Sequence, residues 1–313
     1  MITTLINGRR NSSLKLYSSY ITQWKDFCSA RGTHCIHASV ATGLEFLQTL
    51  LSRGLGYSVL NTARSALSSI MVLPGNLLFG VHPDVKLFLK GVFNSNPPRP
   101  RYSSTWDPTQ VLVFLQSWSP ADNISLEKLV MKLCMLIMLV TGQRPQVLSK
   151  LRLNNMKVSD DAIEFILEAV DLKQGRPGFK SQLLRLTRFP SNPKICVHKY
   201  LSTYLGRTAV IRKDLQPLLL TTTKPFRVAS ANTISRWLKT TLKAAGVNVD
   251  CFTAGSSRAA SVSAAKQSGL PIEQILKTGG WSRADTFTRF YDRPILPCSF
   301  ETTILSRVPG TNV

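Results

Sequence analysis

The stretch NSNPPRPRYSSTWDP, residues 94–108, divides a chain of 313 residues in two. Pro97, Pro98 and Pro100 cannot continue a helix, and Arg99 and Arg101 add charge, so 95–108 reads as a stiff basic linker. At its end the chain restarts, because Asp107 is a good N-cap and Pro108 a good first helical residue. The length exceeds that of a usual single domain, which agrees with one unit on either side of the linker.

Upstream, apolar residues recur at helical spacing. Leu14, Tyr17, Ile21, Trp24 and Cys28 predict one helix, and Val40, Leu44, Leu47 and Leu51 a second. A third is expected over 58–71 and a fourth over 84–93. With cations such as Arg64, Lys86 and Lys90 and only three acids, residues 1–94 read as a small basic helical bundle. Downstream the pattern mixes. Helices are expected over 108–118, 125–141, 145–151, 196–207 and 231–245 and through the C-terminal third. AIEFILEAV (162–170) and QLLRLTRF (182–189) alternate around GRPG, which predicts a β-hairpin. The fold class is therefore mainly α with a small β-sheet, an α+β chain.

Charge narrows the partners. The 39 Lys and Arg against 17 Asp and Glu give a net +22, and the excess is +8 before Thr105 and +14 from there on. A basic surface spread over both units suits a polyanion rather than one charged tail. The six cysteines (Cys28, Cys35, Cys134, Cys196, Cys251 and Cys298) never reach metal-binding spacing and form no ligand pattern with the four histidines. A structural zinc or a disulfide framework is thus not expected, and a reducing compartment is. MITTLINGRRNSS has no signal-peptide core, and the apolar run around 133–140 is too short to span a bilayer, so a soluble intracellular protein is expected, with no membrane partner.

Metal-dependent phosphoryl transfer needs convergent carboxylates, and the adjacent Asp160 and Asp161 diverge on either helix or strand. No GK[ST] loop is present for a nucleotide. What remains is a reaction on a phosphate without metal, nucleotide or other cofactor. It requires cations around a phosphorane, a side-chain nucleophile and an acid for the leaving oxygen.

Four places supply them. In TGQRPQVL (141–148) a helix ends at Gly142 and another starts at Pro145, which mounts Arg144 on a sharp turn. In DLKQGRPGFK, Lys173 lies at the end of the first hairpin strand, followed by Arg176 at the tip. FTAGSSRAAS (252–261) opens a helix of small residues, with Ser256 or Ser257 as candidate N-cap and Arg258 in the first turn, an arrangement suited to an anion. GGWSRADTFTRFYDRP carries Trp281 and Tyr291, with Phe287 and Phe290 expected toward the core. A free tyrosine has a pKa of about 10, so it needs cations or a base to become a nucleophile.

In this order and spacing, Arg144, Lys173, Arg258, Trp281 and Tyr291 resemble the motifs of the tyrosine recombinase (phage integrase) family. The wording of SALSSI, HPDVKLFLKGVFN, TGQRPQVL, LKQGRPGF, SSRAAS and WSRADTFTRFYDRP is similar to that of recombinases from DIRS-like and Ngaro-like retroelements of eukaryotes. The resemblance covers nearly the whole chain. It implies a helical core-binding domain (1–94), the linker (95–108) and a catalytic domain with a C-terminal tail (109–313), closing on double-stranded DNA as a C-shaped clamp. It implies Arg144 and Arg258 as phosphate clamps, Trp281 as a phosphate contact, Lys173 as the acid for the 5′-oxygen and Tyr291 as the nucleophile of a 3′-phosphotyrosyl intermediate. DNA contacts are expected from Arg64, Lys86, Lys90, Arg99, Arg101 and Arg176. Homotetramers on DNA, a nuclear location, and neither a metal nor a small-molecule substrate are implied as well.

Three residues depart from the family pattern. The position three before Arg258 holds Gly255 where a histidine is usual, Val147 stands where an acid is often found, and Trp281 and Tyr291 lie ten apart, one more than in well-known members. Loss of the histidine opens an alternative, a catalytically impaired or domesticated DNA-binding remnant. A tail docking on a neighbouring subunit is expected from Ile295 onward.

Overall fold

The computed structural model describes residues 11–98, 102–169, 172, 181–281 and 283–296. The chain divides into two compact units, Met1–Pro100 and Arg101–Val313. In the first, four helices form: α1 (Asn11–Ser29), α2 (Val40–Ser52), α3 (Tyr57–Leu67) and α4 (Pro83–Ser95). Their ends follow local chemistry. The Ser39 hydroxyl caps α2 by accepting from the Thr42 N–H, and Pro83 supplies the first turn of α4. Trp24, Phe46, Leu47, Leu50, Leu60, Leu67 and Phe79 close one apolar core. The Trp24 indole N–H is satisfied there by the Cys35 carbonyl at 2.9 Å.

The second unit is built around one helix. After β1 (Thr105–Trp106) and α5 (Pro108–Gln116), α6 (Leu126–Thr141) runs through the core, buried on nearly every face because LVMKLCMLIMLV is apolar all round but for Lys132. The expected cap of α5 forms, with an Asp107 carboxylate oxygen accepting from the Thr109 N–H at 2.8 Å. Against α6 pack α8 (Val197–Arg212), α9 (Ala231–Ala244) and α10 (Ser256–Gln267). The short α7 (Pro145–Leu148) follows α6 directly, and α11 (Ile272–Gly279) and α12 (Ala284–Phe290) complete the helices.

The sheet has three antiparallel strands, β2 (Met156–Val158), β3 (Ala162–Leu167) and β4 (Gln182–Thr187). Ile163 faces Leu186 and Phe165 faces Leu184 on the buried side, while Glu164 and Arg185 pair at 2.8 Å on the other. The hairpin is the predicted one, with strands two to three residues shorter at their far ends than expected. Strand β2, with the exposed Lys157 and Val158, carries no alternation that sequence could reveal. A second pairing was also invisible: Thr105 and Trp106, assigned above to the linker, run parallel to β5 (Ile295–Leu296). Both are buried, so this end of the presumed linker belongs to the second unit. For the same reason the expected docking tail cannot begin at Ile295, which is bound to its own chain. From 297 on, that tail lies outside the described residues.

Candidate active site

Each arm of the site is positioned by a chain break. Helix α6 stops because Gly142 adopts the left-handed conformation (φ 57°), its N–H bonding back to Met138, and Pro145 opens α7. Arg144 between them is extended, half-buried, and without hydrogen bond or ion pair among the described residues. That mounting is the one read from TGQRPQVL. Val147, the position of the missing acid, is buried in the core and supplies no charge to the site.

Arg258 is the centre of the arrangement, in a form that sequence did not anticipate. It is 1% exposed. Its Nη1 donates to the Gly142 carbonyl and its Nη2 to the Gly279 carbonyl at 2.8 Å, so one guanidinium ties the end of α6 to the end of α11. Its Cζ lies 3.6 Å from the centre of the Trp281 ring and 5.0 Å from that of Tyr291. Burial pulls its pKa down to about 10 and the nearby Arg144 cation pulls the same way, while the charge of Tyr291 and a hydrogen bond with its side chain push it back up. It stays charged at neutral pH. Its buried Nε has no partner among the described residues.

The helix start is not the open anion cradle expected. Gly255, not a serine, is the N-cap of α10, and it makes no side-chain cap bond. Ser256 and Ser257 are fully buried. The Ser256 hydroxyl donates to the Thr253 carbonyl at 2.6 Å and accepts from the Trp106 indole N–H at 2.8 Å, so the β1 indole covers this end of the helix. Small residues here serve close packing, not ligand access.

Trp281 is buried, its indole N–H without a partner among the described residues, and its ring meets those of Phe287 at 5.7 Å and Tyr291 at 5.0 Å edge-on. Tyr291 caps α12 and is half-buried. Its backbone carbonyl accepts from the Ser263 hydroxyl at 2.8 Å, and the same hydroxyl accepts from the Arg293 N–H at 3.1 Å, which clips the tyrosine segment to α10. Phe287 is in the core as expected, but Phe290 is 54% exposed. On a seven-residue helix Phe287 alone fills the covered face, and Phe290 lies instead with Arg289, 5.3 Å from its ring.

Four of the five residues named from sequence, Arg144, Arg258, Trp281 and Tyr291, thus come together from segments far apart in the chain. Lys173 and Arg176 lie outside the described residues, as do Arg99 and Arg101. Of the expected DNA contacts in the first unit, Arg64, Lys86 and Lys90 line one groove. Sequence reasoning missed two glutamines. Gln143, beside Arg144, and Gln182, at the start of β4, both donate to the Thr278 carbonyl, at 3.0 and 3.2 Å. They tie the arginine turn and the hairpin to the Gly279–Gly280 bend, a convergence of three distant segments that no local motif signals.

No known family model matches the sequence, and no curated protein matches it. Solved structures do match. The chain is similar to a lambda integrase dimer bound to a COC′ core site, at 16% identity over 91% of this chain and 90% of that one, with a TM-score of 0.56. It is similar to XerH site-specific recombinase bound to a palindromic difH substrate, at 13% identity over 87% and 72%, TM-score 0.54. A lambda integrase tetramer bound to a Holliday junction matches at 14% identity over 91% and 72%, TM-score 0.51. Two-unit, mainly helical, with a small antiparallel sheet, the fold is that of the tyrosine recombinases and integrases.

Proposed function

We propose that this chain is a site-specific DNA recombinase that cuts and rejoins DNA through Tyr291, and that it is related to the DIRS-like and Ngaro-like recombinases. One observation carries the reading: the buried Arg258 cation lies 3.6 Å from the Trp281 ring and 5.0 Å from that of Tyr291, with Arg144 close enough to depress its pKa. Two guanidinium groups beside a tyrosine oppose the negative charge of a pentacoordinate phosphorane.

In the reaction, the Tyr291 hydroxyl gives its proton to solvent as its Oη attacks a phosphodiester, the P–O5′ bond breaks, and Lys173 gives a proton to the leaving 5′-oxygen. A 3′-phosphotyrosyl ester and a free 5′-hydroxyl result. The 5′-hydroxyl of a second strand then attacks the ester, Tyr291 leaves, and the backbone is sealed. The ester keeps the bond energy, so the cycle draws on neither ATP nor a metal. Arg144, half-buried, meets the phosphate, Arg258 supplies a buried positive charge behind it with Trp281 stacked on its guanidinium, and Lys86 and Lys90 of the helical unit add cations for the duplex. Exchange between two sites requires several subunits, for which a tetramer on DNA is the expected form.

Gly255 supports a second reading, a DNA-binding remnant with little or no cleavage. General acid–base assistance of the kind a histidine gives is worth about 10²- to 10⁴-fold. The structure makes its restoration practical: Gly255 has ordinary helical angles (φ −69°, ψ −20°), and an added Cβ meets nothing nearer than the Thr253 Oγ1 at 3.8 Å. The test incubates the full chain with a pool of nicked duplexes of random sequence and resolves covalent adducts on a denaturing gel. The recombinase reading expects an adduct from the wild type, more from Gly255→His and none from Tyr291→Phe. Duplex binding with no adduct from either of the first two establishes the remnant instead.

A further inference from the structure

The groove of the first unit has about 420 Å³ of space. Its walls are Tyr57, Asn61 and Arg64 from α3 and Lys86, Lys90 and Phe93 from α4, and on each helix the three stand four and three residues apart, so each helix presents one face. No lining residue is acidic. The aromatic pair Tyr57 and Phe93, edge-to-face at 5.4 Å, forms one apolar wall.

The polar groups of this groove are not equivalent. Arg64 spends its fork within its own unit: Nη1 donates to the Gly80 carbonyl at 3.0 Å and Nη2 to the Ser65 hydroxyl at 3.2 Å, while Nε is buried. It braces α3 against the Phe79–Val81 turn. Lys86 and Lys90 are exposed, and neither is in an ion pair among the described residues. Asn61 is half-buried, stands between Tyr57 and Arg64 on its helix, and its side-chain amide has no hydrogen-bond partner among the described residues. A neutral group with one acceptor and two donors, held on a helix and flanked by free cations, is matched to a base edge more than to a phosphate. In a major groove, the amide of asparagine pairs in bidentate fashion with N6 and N7 of adenine.

We infer that Asn61 is a specificity-determining residue that reads an adenine edge of a duplex seated on this groove, with Lys86 and Lys90 on the flanking phosphates and Arg64 as a brace. The inference rests on the DNA reading above and goes beyond it in assigning a base contact. It separates two behaviours that a basic surface alone would not separate.

The experiment selects from a random-sequence duplex library with full-length wild type, Asn61→Ala and Lys90→Ala, sequences the bound pools, and measures affinity for the selected and a scrambled duplex over a salt series. Wild type enriches a motif containing an adenine. Asn61→Ala loses that preference at one position and binds the selected duplex about 5- to 150-fold more weakly, with the scrambled duplex unaffected. Lys90→Ala weakens both duplexes alike and lowers the salt slope by about one. If Asn61→Ala enriches the unchanged motif or weakens both duplexes equally, or if wild type binds duplex without enriching any motif, the inference fails while the DNA reading stands. A wild type that binds no duplex overturns both.

Discussion

Gly279→Ala is the most exacting test of the way Trp281 and Arg258 are held together. The added Cβ would lie 1.8, 2.4 and 2.7 Å from Cζ3, Cε3 and Cη2 of the Trp281 ring. Ordinary contact begins at 3.4 Å, so the ring has to retreat by roughly 1.6 Å, and it is this ring that stacks 3.6 Å from the buried Arg258 guanidinium. Overpacking costs about 1–3 kcal/mol and a lost desolvated cation–π contact about 2. Alanine returns up to about 1 kcal/mol at the end of a helix. The net is about 2–4 kcal/mol. In a unit of this size each kcal/mol moves the melting temperature by about 2–4 °C, which gives a drop of about 4–16 °C. Gly255→Ala is the control, since its Cβ makes only an ordinary contact with the Thr253 Oγ1 at 3.8 Å and its backbone is ordinary, and it should stay within about 0.5 kcal/mol of wild type. Calorimetry of the two variants decides it. If they melt together, the Trp281 ring does not rest on Gly279 and the stack does not exist as described.

Two further outcomes follow from groups outside the site. Lys132 is fully buried on α6, its Nζ donating to the Leu115 and Trp118 carbonyls at 2.6 and 2.7 Å and lying 3.9 Å from the Tyr200 ring centre, and burial lowers its pKa from 10.5 to about 7. The folded chain then sheds this proton before the unfolded chain does, so stability rises with pH between about 7 and 10.5 and is lost as pH falls through 7, by at most about 1.4 kcal/mol per unit. Urea unfolding of wild type and Lys132→Met between about pH 6.5 and 9.5 should show the wild type gaining stability relative to the variant as pH rises; a constant difference refutes it. Trp106→Phe removes the 2.8 Å bond to the Ser256 hydroxyl and should cost about 1–2 kcal/mol, read as a lower melting temperature; an unchanged one means that β1 does not anchor α10.

What could be read beforehand depended on how locally each feature is determined. The turn that holds Arg144 was legible because Gly142 and Pro145 punctuate the chain by their own conformational limits, and the Asp107 cap for the same reason. The long helices and the hairpin were legible from periodicity. The burial of Arg258 was not, because its carbonyl partners, Gly142 and Gly279, lie 116 and 21 residues away and only the fold brings them within reach. Strands β1 and β5 are two residues each and exist only through each other. Ser256 and Ser257 followed capping statistics in sequence but are claimed by Trp106 and the core. The groove amide of Asn61 had no signal, since its meaning comes from α4 lying alongside.

The central claim is that Tyr291 takes up the DNA. Trapping the full chain on nicked duplexes, digesting the DNA to a short remnant and the protein with trypsin, and sequencing the nucleotide-bearing peptide by mass spectrometry tests it directly. The expected result is the peptide spanning 290–307 with the phosphonucleotide on Tyr291, absent from Tyr291→Phe. A nucleotide carried by any other residue, or an adduct that survives the Tyr291→Phe substitution, contradicts the account.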